Sequence, residues 1–205
     1  MSVSRLLIAI VAAYLLGSIP TSYWVVRLVK GVDLRTLGSG NLGATNLYRV
    51  LGWRFAVPVA AFDTLKGAVP VAVFGPWAGA SIAISVALGV VALFGHVCSV
   101  FVGFRGGKGV ATGAGIVLGV APWAFLAVLG VWGVTTGLTG YVSLASVIAA
   151  LALAPAIWFL EPMRRDVVGW FAALAVVVIW LHRANIKRLA RGTENRFGRS
   201  RGAAA

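Results

Sequence analysis

Leu6-Leu7-Ile8-Ala9-Ile10-Val11-Ala12-Ala13-Tyr14-Leu15-Leu16-Gly17-Ser18-Ile19-Pro20-Thr21-Ser22-Tyr23-Trp24-Val25-Val26 carries no charged side chain, with Arg5 before it and Arg27 and Lys30 after it. About 20 such residues suffice for a helix to cross the hydrocarbon core of a bilayer. A cleaved leader is the rival reading, since Gly17-Ser18 offers small residues. Tyr23-Trp24-Val25-Val26 prolongs the run beyond a typical leader core, so the run reads as a retained span. Arg27, Lys30 and Arg35 follow it closely against Arg5 alone before it, which puts the N-terminus outside and Arg27 to Arg54 inside.

The remainder of the 205-residue chain agrees. It is 60% hydrophobic and 11% charged, where a soluble domain has about 25% charged residues, and its mean hydropathy is +0.95. There is too little charge to cover a soluble surface. The expectation is an all-α, polytopic integral membrane bundle forming one domain over 1–205. The net charge of +13 comes from 18 Lys and Arg against Asp33, Asp63, Glu161, Asp166 and Glu194. On a soluble protein it would point to nucleic acid; here cytoplasmic loops and anionic headgroups account for it, and no nucleic-acid partner is expected. Cys98 is the single cysteine, so no internal disulfide forms.

Phe55 to Phe74 reads as a second span, interrupted by Asp63 and Lys66, which share a helical face and can pair. Gly75-Pro76-Trp77 reads as an outer turn, and Ala78 to Phe94 returns inside. Further apolar stretches follow at Val110–Val120, Pro122–Leu138, Tyr141–Leu160 and Val167–Leu181. Counting all of them gives seven transmembrane helices and a cytoplasmic C-terminus. Merging the first two would strand the basic tail outside, against the charge rule. Arg196, Arg199 and Arg201 make a loose basic end facing lipid headgroups, and 199–205 is expected to be a disordered tail.

Three polar segments interrupt the apolar background. Gly38-Ser39-Gly40-Asn41-Leu42-Gly43-Ala44-Thr45-Asn46, closed by Arg49, combines backbone N–H groups that glycine can turn toward a ligand with neutral donors and one forked cation. Gly95-His96 through Gly106-Gly107-Lys108-Gly109-Val110-Ala111-Thr112 is the second. His182-Arg183-Ala184-Asn185-Ile186-Lys187-Arg188-Leu189-Ala190-Arg191-Gly192-Thr193-Glu194-Asn195 is the third, with His182, Asn185 and Leu189 on one helical face.

Two familiar motifs fail on inspection. Gly38 to Gly43 matches G-x-G-x-x-G with Asp63 about 20 residues on, but a dinucleotide site needs a strand before the loop and a βαβ unit around it. Gly106-Gly107-Lys108-Gly109 has Val102 and Gly109 where a P-loop needs Gly and Ser or Thr. No His-x-x-x-x-Asp acyltransferase pattern occurs, because His96 is matched by Phe101 and His182 by Lys187. Two histidines without an acidic cluster support no metal, and no cofactor is implied.

All three segments fall on predicted cytoplasmic helix ends. Together they suggest a composite, positively charged pocket for more than one phosphate above an apolar bundle that accepts an acyl chain. A transporter or binding protein for phosphorylated metabolites is the alternative class, whose cue would be matching interrupted helices in two halves.

Gly38-Ser39-Gly40-Asn41-x-Gly43-Ala44-Thr45-Asn46-x-x-Arg49, Gly95-His96 through Gly106-Gly107-Lys108-Gly109-Val110-Ala111-Thr112, and His182-Arg183-x-Asn185-Ile186-x-Arg188-Leu189-x-x-Gly192-x-Glu194 resemble the signature motifs of the bacterial acyl-phosphate:glycerol-3-phosphate acyltransferase family, PlsY. The resemblance runs from Leu6 to about Phe197 and takes in Asp63-x-x-Lys66-Gly67. It implies a seven-helix enzyme of the bacterial inner membrane, with its active site facing the cytoplasm. Such an enzyme moves a fatty acyl group from acyl phosphate to the 1-hydroxyl of sn-glycerol 3-phosphate, giving lysophosphatidic acid and phosphate. The resemblance assigns catalytic roles to Lys108, Asn185, His182 and Ser39. It assigns substrate binding to Asn41, Gly43, Thr45, Asn46, Arg49, His96, Gly106, Gly107, Ser143, Arg188 and Glu194. Membrane lipids and the enzyme that produces acyl phosphate are the partners it implies.

Overall fold

The computed structural model describes residues 2–197, and their regular structure is entirely helical. The tail expected at 199–205 lies outside them. Within the span read as one domain, the chain forms two compact units, the first up to Val120 and the second from Ala121.

The first unit holds α1 (Val3–Ser18), α2 (Thr21–Lys30), α3 (Ala44–Leu51), α4 (Trp53–Val69), α5 (Ile82–Val97) and α6 (Val110–Val120). Its helices approach through small residues. A Cβ on Gly17 of α1 would run into the Ala92 carbonyl of α5, and one on Gly95 into the Tyr14 carbonyl. Between α4 and α6, Gly67 meets Thr112 and Gly115 meets Thr64 in the same way. Small residues at such contacts let backbones approach closely, which is how helices associate where lipid removes the hydrophobic drive. Along α1, Ala9, Ala13 and Gly17 are buried while Leu7, Ile8, Val11 and Leu15 are exposed. Small residues inside and large apolar ones outside are the pattern of a lipid-facing helix.

The second unit holds α7 (Pro122–Thr139), α8 (Val142–Leu160), α9 (Val168–Leu181) and α10 (Arg183–Ala190). Helix α8 packs against both α7 and α9. Glu161 accepts from the Trp123 N–H at 2.8 Å, capping the start of α7.

Among the described residues, five stretches are long and apolar enough to span a bilayer: Val3–Lys30, Trp53–Trp77, Ile82–Val102, Pro122–Thr139 and Val142–Leu160. Pro162–Leu181 with Arg183–Ala190, bent by 57°, makes a sixth. The chain is thus a multi-pass membrane protein. The expected seven is reached only by adding α6, whose 11 residues rise about 16 Å against a core of about 30 Å.

Several boundaries differ from the sequence expectation, among them the third span, which is Ile82–Val97 rather than Ala78 to Phe94. The first run is not continuous: it breaks at Ile19-Pro20, where Ile19 takes ψ 110° and Pro20 has no N–H to extend the helix. The second span does not stop at Phe74. A π-helical turn at Pro70–Phe74, closed by the Gly75 N–H on the Pro70 carbonyl, carries the helix on through Gly75–Trp77. The chain reverses afterwards, at Gly79 with φ 67°.

Candidate active site

The first polar segment is a loop held by its own neighbours. Asn46, buried in α3, accepts the Ser39 N–H at 2.8 Å and donates to the Leu37 carbonyl at 3.0 Å. Gly38 has φ 58°, and a Cβ there would strike Asn46 Oδ1. The carboxamide of Asn46 therefore shapes the loop from within. Ser22 donates to the Leu42 carbonyl at 2.8 Å from beneath. Ser39 is exposed, Asn41, Thr45 and Arg49 are half-buried, and Gly43 is the N-cap of α3 with extended backbone.

Arg35 joins this loop to the second segment. It pairs with Asp33 at 2.6 Å and donates through Nη1 to the Val102 carbonyl at 3.1 Å. The hydrogen-bonded Arg35 guanidinium holds the Asp33 carboxyl below the usual range. In the second segment the backbone folds back on the end of α5. Gly106 N–H donates to the Val97 carbonyl at 2.9 Å and Gly107 N–H to the His96 carbonyl at 3.1 Å. A side chain at Gly106 would collide with that His96 carbonyl, and one at Gly107 with the His96 ring. Glycine is required here by proximity, and half-buried Lys108 follows Gly107 directly in the chain.

Beneath this lies the charge pair anticipated from its spacing. Lys66 Nζ stands 2.7 Å from Asp63, with side chains 0% and 2% exposed. It also donates to the Ile19 carbonyl at 2.8 Å and meets His96 Nδ1 at 3.3 Å. Thr21 donates to Asp63 at 3.3 Å.

The third segment belongs to the second unit, and Ser143 joins it there. Glu194 Oε1 accepts from Asn185 Nδ2 at 2.6 Å and from Ser143 Oγ at 2.9 Å, while Oε2 accepts from Arg188 Nε at 2.7 Å. Burial by itself would push the Glu194 carboxyl up. The hydrogen bonds from Asn185, Arg188 and Ser143, with the charge of Arg188, outweigh burial and hold it below the ordinary glutamate range. His182, at the break between α9 and α10, directs Nδ1 at the Val178 carbonyl at 2.8 Å. A carbonyl only accepts, so Nδ1 carries a ring hydrogen.

Of the residues named from sequence, Ser39, Asn41, Gly43, Thr45, Asn46, Arg49, His96, Gly106, Gly107 and Lys108 lie in the first unit. Ser143, His182, Asn185, Arg188 and Glu194 lie in the second. Thr21 and Ser22 were not singled out, and Arg35 was named only for the charge rule. Hydroxyls beside Pro20 were the only signal for the first two, and it is a weak one.

These features define an integral membrane protein with glycine-shaped loops that bear hydroxyls, carboxamides and cations where apolar helices end. The glycerol-3-phosphate acyltransferase family model matches residues 7–192, and the chain belongs to that family. It is 42% identical to the glycerol-3-phosphate acyltransferase of Chlorobaculum tepidum, over 93% of this chain and 96% of that one. Against the enzyme of Geobacter sulfurreducens it is 45% identical, over 93% and 97%. The crystal structure of PlsY (YgiH), an integral membrane glycerol 3-phosphate acyltransferase in its glycerol 3-phosphate form, superposes with a TM-score of 0.87. That pair is 39% identical over 94% of this chain and 96% of the other. The lysophosphatidic acid form gives 0.84 at 38% identity, over 94% and 95%.

Proposed function

We propose that the protein transfers a fatty acyl group from acyl phosphate to the 1-hydroxyl of sn-glycerol 3-phosphate, releasing lysophosphatidic acid and inorganic phosphate. The observation that carries this reading is family membership across residues 7–192. This would be the first acylation of phospholipid synthesis, at the cytoplasmic face of a bacterial inner membrane. In this reading the chain crosses seven times, with the N-terminus outside.

Phosphate is already a good leaving group, so the protein mainly has to bring two anions together and neutralise charge as it develops. Ser39, Asn41, Gly43, Thr45 and Lys108 hold the acyl-phosphate group, with His96, Gly106 and Gly107 beside Lys108. Asn46 keeps the Ser39 loop in shape. His182 and Asn185 orient glycerol 3-phosphate with Arg49, supported by Ser143, Arg188 and Glu194. The acceptor hydroxyl oxygen attacks the acyl carbon, the bond from that carbon to the phosphate oxygen breaks, and the hydroxyl proton passes to the departing phosphate. His182 then serves as a hydrogen-bond acceptor for the hydroxyl through Nε2.

Purified protein incubated with palmitoyl phosphate and glycerol 3-phosphate tests the reading. Phosphate release matched by lysophosphatidic acid supports it. A folded protein without turnover overturns it in favour of transport or binding of phosphorylated metabolites.

A further inference from the structure

Lys66 has three ammonium hydrogens and meets three acceptors. The Asp63 carboxylate lies at 2.7 Å, the Ile19 carbonyl at 2.8 Å and His96 Nδ1 at 3.3 Å. The Ile19 carbonyl is available because the helix breaks at Pro20; in an unbroken helix it would accept the N–H of the residue four further on. An ammonium only donates, so its contact with His96 requires Nδ1 to be the acceptor and leaves the ring hydrogen on Nε2. Nε2 is the ring atom that a Cβ on Gly107 would strike, so the donor edge of His96 lies against the segment leading to Lys108. Gly106 and Gly107 are fixed to the carbonyls of Val97 and His96, so segment and ring keep their register. His182 is arranged the opposite way, donating from Nδ1 to the Val178 carbonyl.

We infer that Lys66, anchored by Asp63 and the Ile19 carbonyl, is a positioning residue. It holds His96 in the Nε2–H form as a neutral hydrogen-bond donor for the anionic group bound at Gly106–Lys108. On the reaction proposed above, that group is the phosphate of the acyl donor. The two histidines of the chain thus take opposite tautomers, and His96 is excluded as a base.

Ring-nitrogen NMR on the full-length protein, labelled with 15N-histidine at neutral pH, tests this directly. Two rings give a simple spectrum, and His182→Gln assigns them. The expected result is His96 with a hydrogen-free Nδ1 and a protonated Nε2, and His182 reversed. A His96 ring carrying its hydrogen on Nδ1, or protonated on both nitrogens, overturns the inference. Lys66→Met supplies a second reading. It should move His96 to a mixture of tautomers and raise KM for acyl phosphate about tenfold, with a smaller effect on kcat. A folded Lys66→Met protein with an unchanged His96 spectrum and KM overturns it too, and the wild-type spectrum decides alone should that variant not fold. The spectrum requires no turnover. A wild-type protein inactive on acyl phosphate therefore refutes the reaction, while the role of Lys66 still stands or falls on the ring nitrogens.

Discussion

The Ser143 hydroxyl donates to Glu194 at 2.9 Å across 51 residues of chain, and the same carboxylate oxygen accepts from Asn185 at 2.6 Å. With Arg188 on its other oxygen at 2.7 Å, Glu194 brackets three side chains from two helices of its own unit. It supports the residues proposed to orient glycerol 3-phosphate. Replacing it by Gln keeps the oxygen that Asn185 and Ser143 share and puts an NH2 group where Arg188 donates. Hydrogen bonds to charged groups contribute about 1.5–3 kcal/mol, so Glu194→Gln should raise KM for glycerol 3-phosphate by about tenfold or more. KM for acyl phosphate should stay close to wild type. Steady-state kinetics with each substrate varied in turn checks this.

Acid should loosen the same bracket. A carboxylate held below its ordinary value contributes stability that is complete above the unfolded-state pKa, about 4.3 for Glu, and is lost as the pH falls through the lower folded value. Limited proteolysis after Gly192 should therefore stay constant down to about pH 4 and rise below it. Glu194→Gln should be cut at a rate that no longer depends on acid.

Lys108→Ala and His182→Gln separate charge stabilisation from base catalysis. Removing one preorganised donor from a developing oxyanion costs about 10²–10³ in kcat, the loss expected for Lys108→Ala. A general base contributes about 10²–10⁴. His182→Gln should keep kcat within about tenfold if the donor phosphate takes the proton, and a loss beyond 10² would make His182 the base. Single-turnover measurements check both.

Gly107→Ala should be far more damaging than Gly130→Ala. The first places a methyl group against the His96 ring; the second adds one in the middle of α7 with nothing within 4 Å. Overpacking costs about 1–3 kcal/mol, while exchanging Gly for Ala inside a helix gains about 1 kcal/mol. Thermal unfolding in detergent should show Tm lowered at 107 and unchanged or raised at 130, with activity lost only at 107.

Asn46→Ala tests the inner shaping of the Ser39 loop. It leaves the Ser39 N–H and the Leu37 carbonyl without the amide that joins them. A buried group left unsatisfied costs about 1–3 kcal/mol. Tm should fall and KM for acyl phosphate rise together, whereas a pure substrate contact would move KM alone.

Membrane class, helical architecture and the three polar segments were legible in residue order, because apolar length, charge placement and glycine content are local properties. The Asp63–Lys66 pair was legible too, since three residues on a helix always bring side chains to one face. Helix ends were readable where glycine and proline punctuate an apolar run, as at Val110–Val120 between Gly109 and Pro122, whose bounds agree in sequence and structure. The break at Ile19-Pro20 was not, because Pro20 sits in an otherwise uninterrupted apolar run.

Sequence alone determined that this chain lies in a membrane, which segments interrupt its helices, and which family its motifs resemble. Only tertiary structure decided what those polar groups touch. Lys66 reaches Ile19 across 47 residues and His96 across 30, and Glu194 reaches Ser143 across 51. Such contacts depend on how helices far apart in the chain pack and where one of them breaks. Hydrogen-bond direction then follows from chemistry: an ammonium can only donate and a carbonyl can only accept, so each histidine's tautomer is set by the neighbour that the fold supplies.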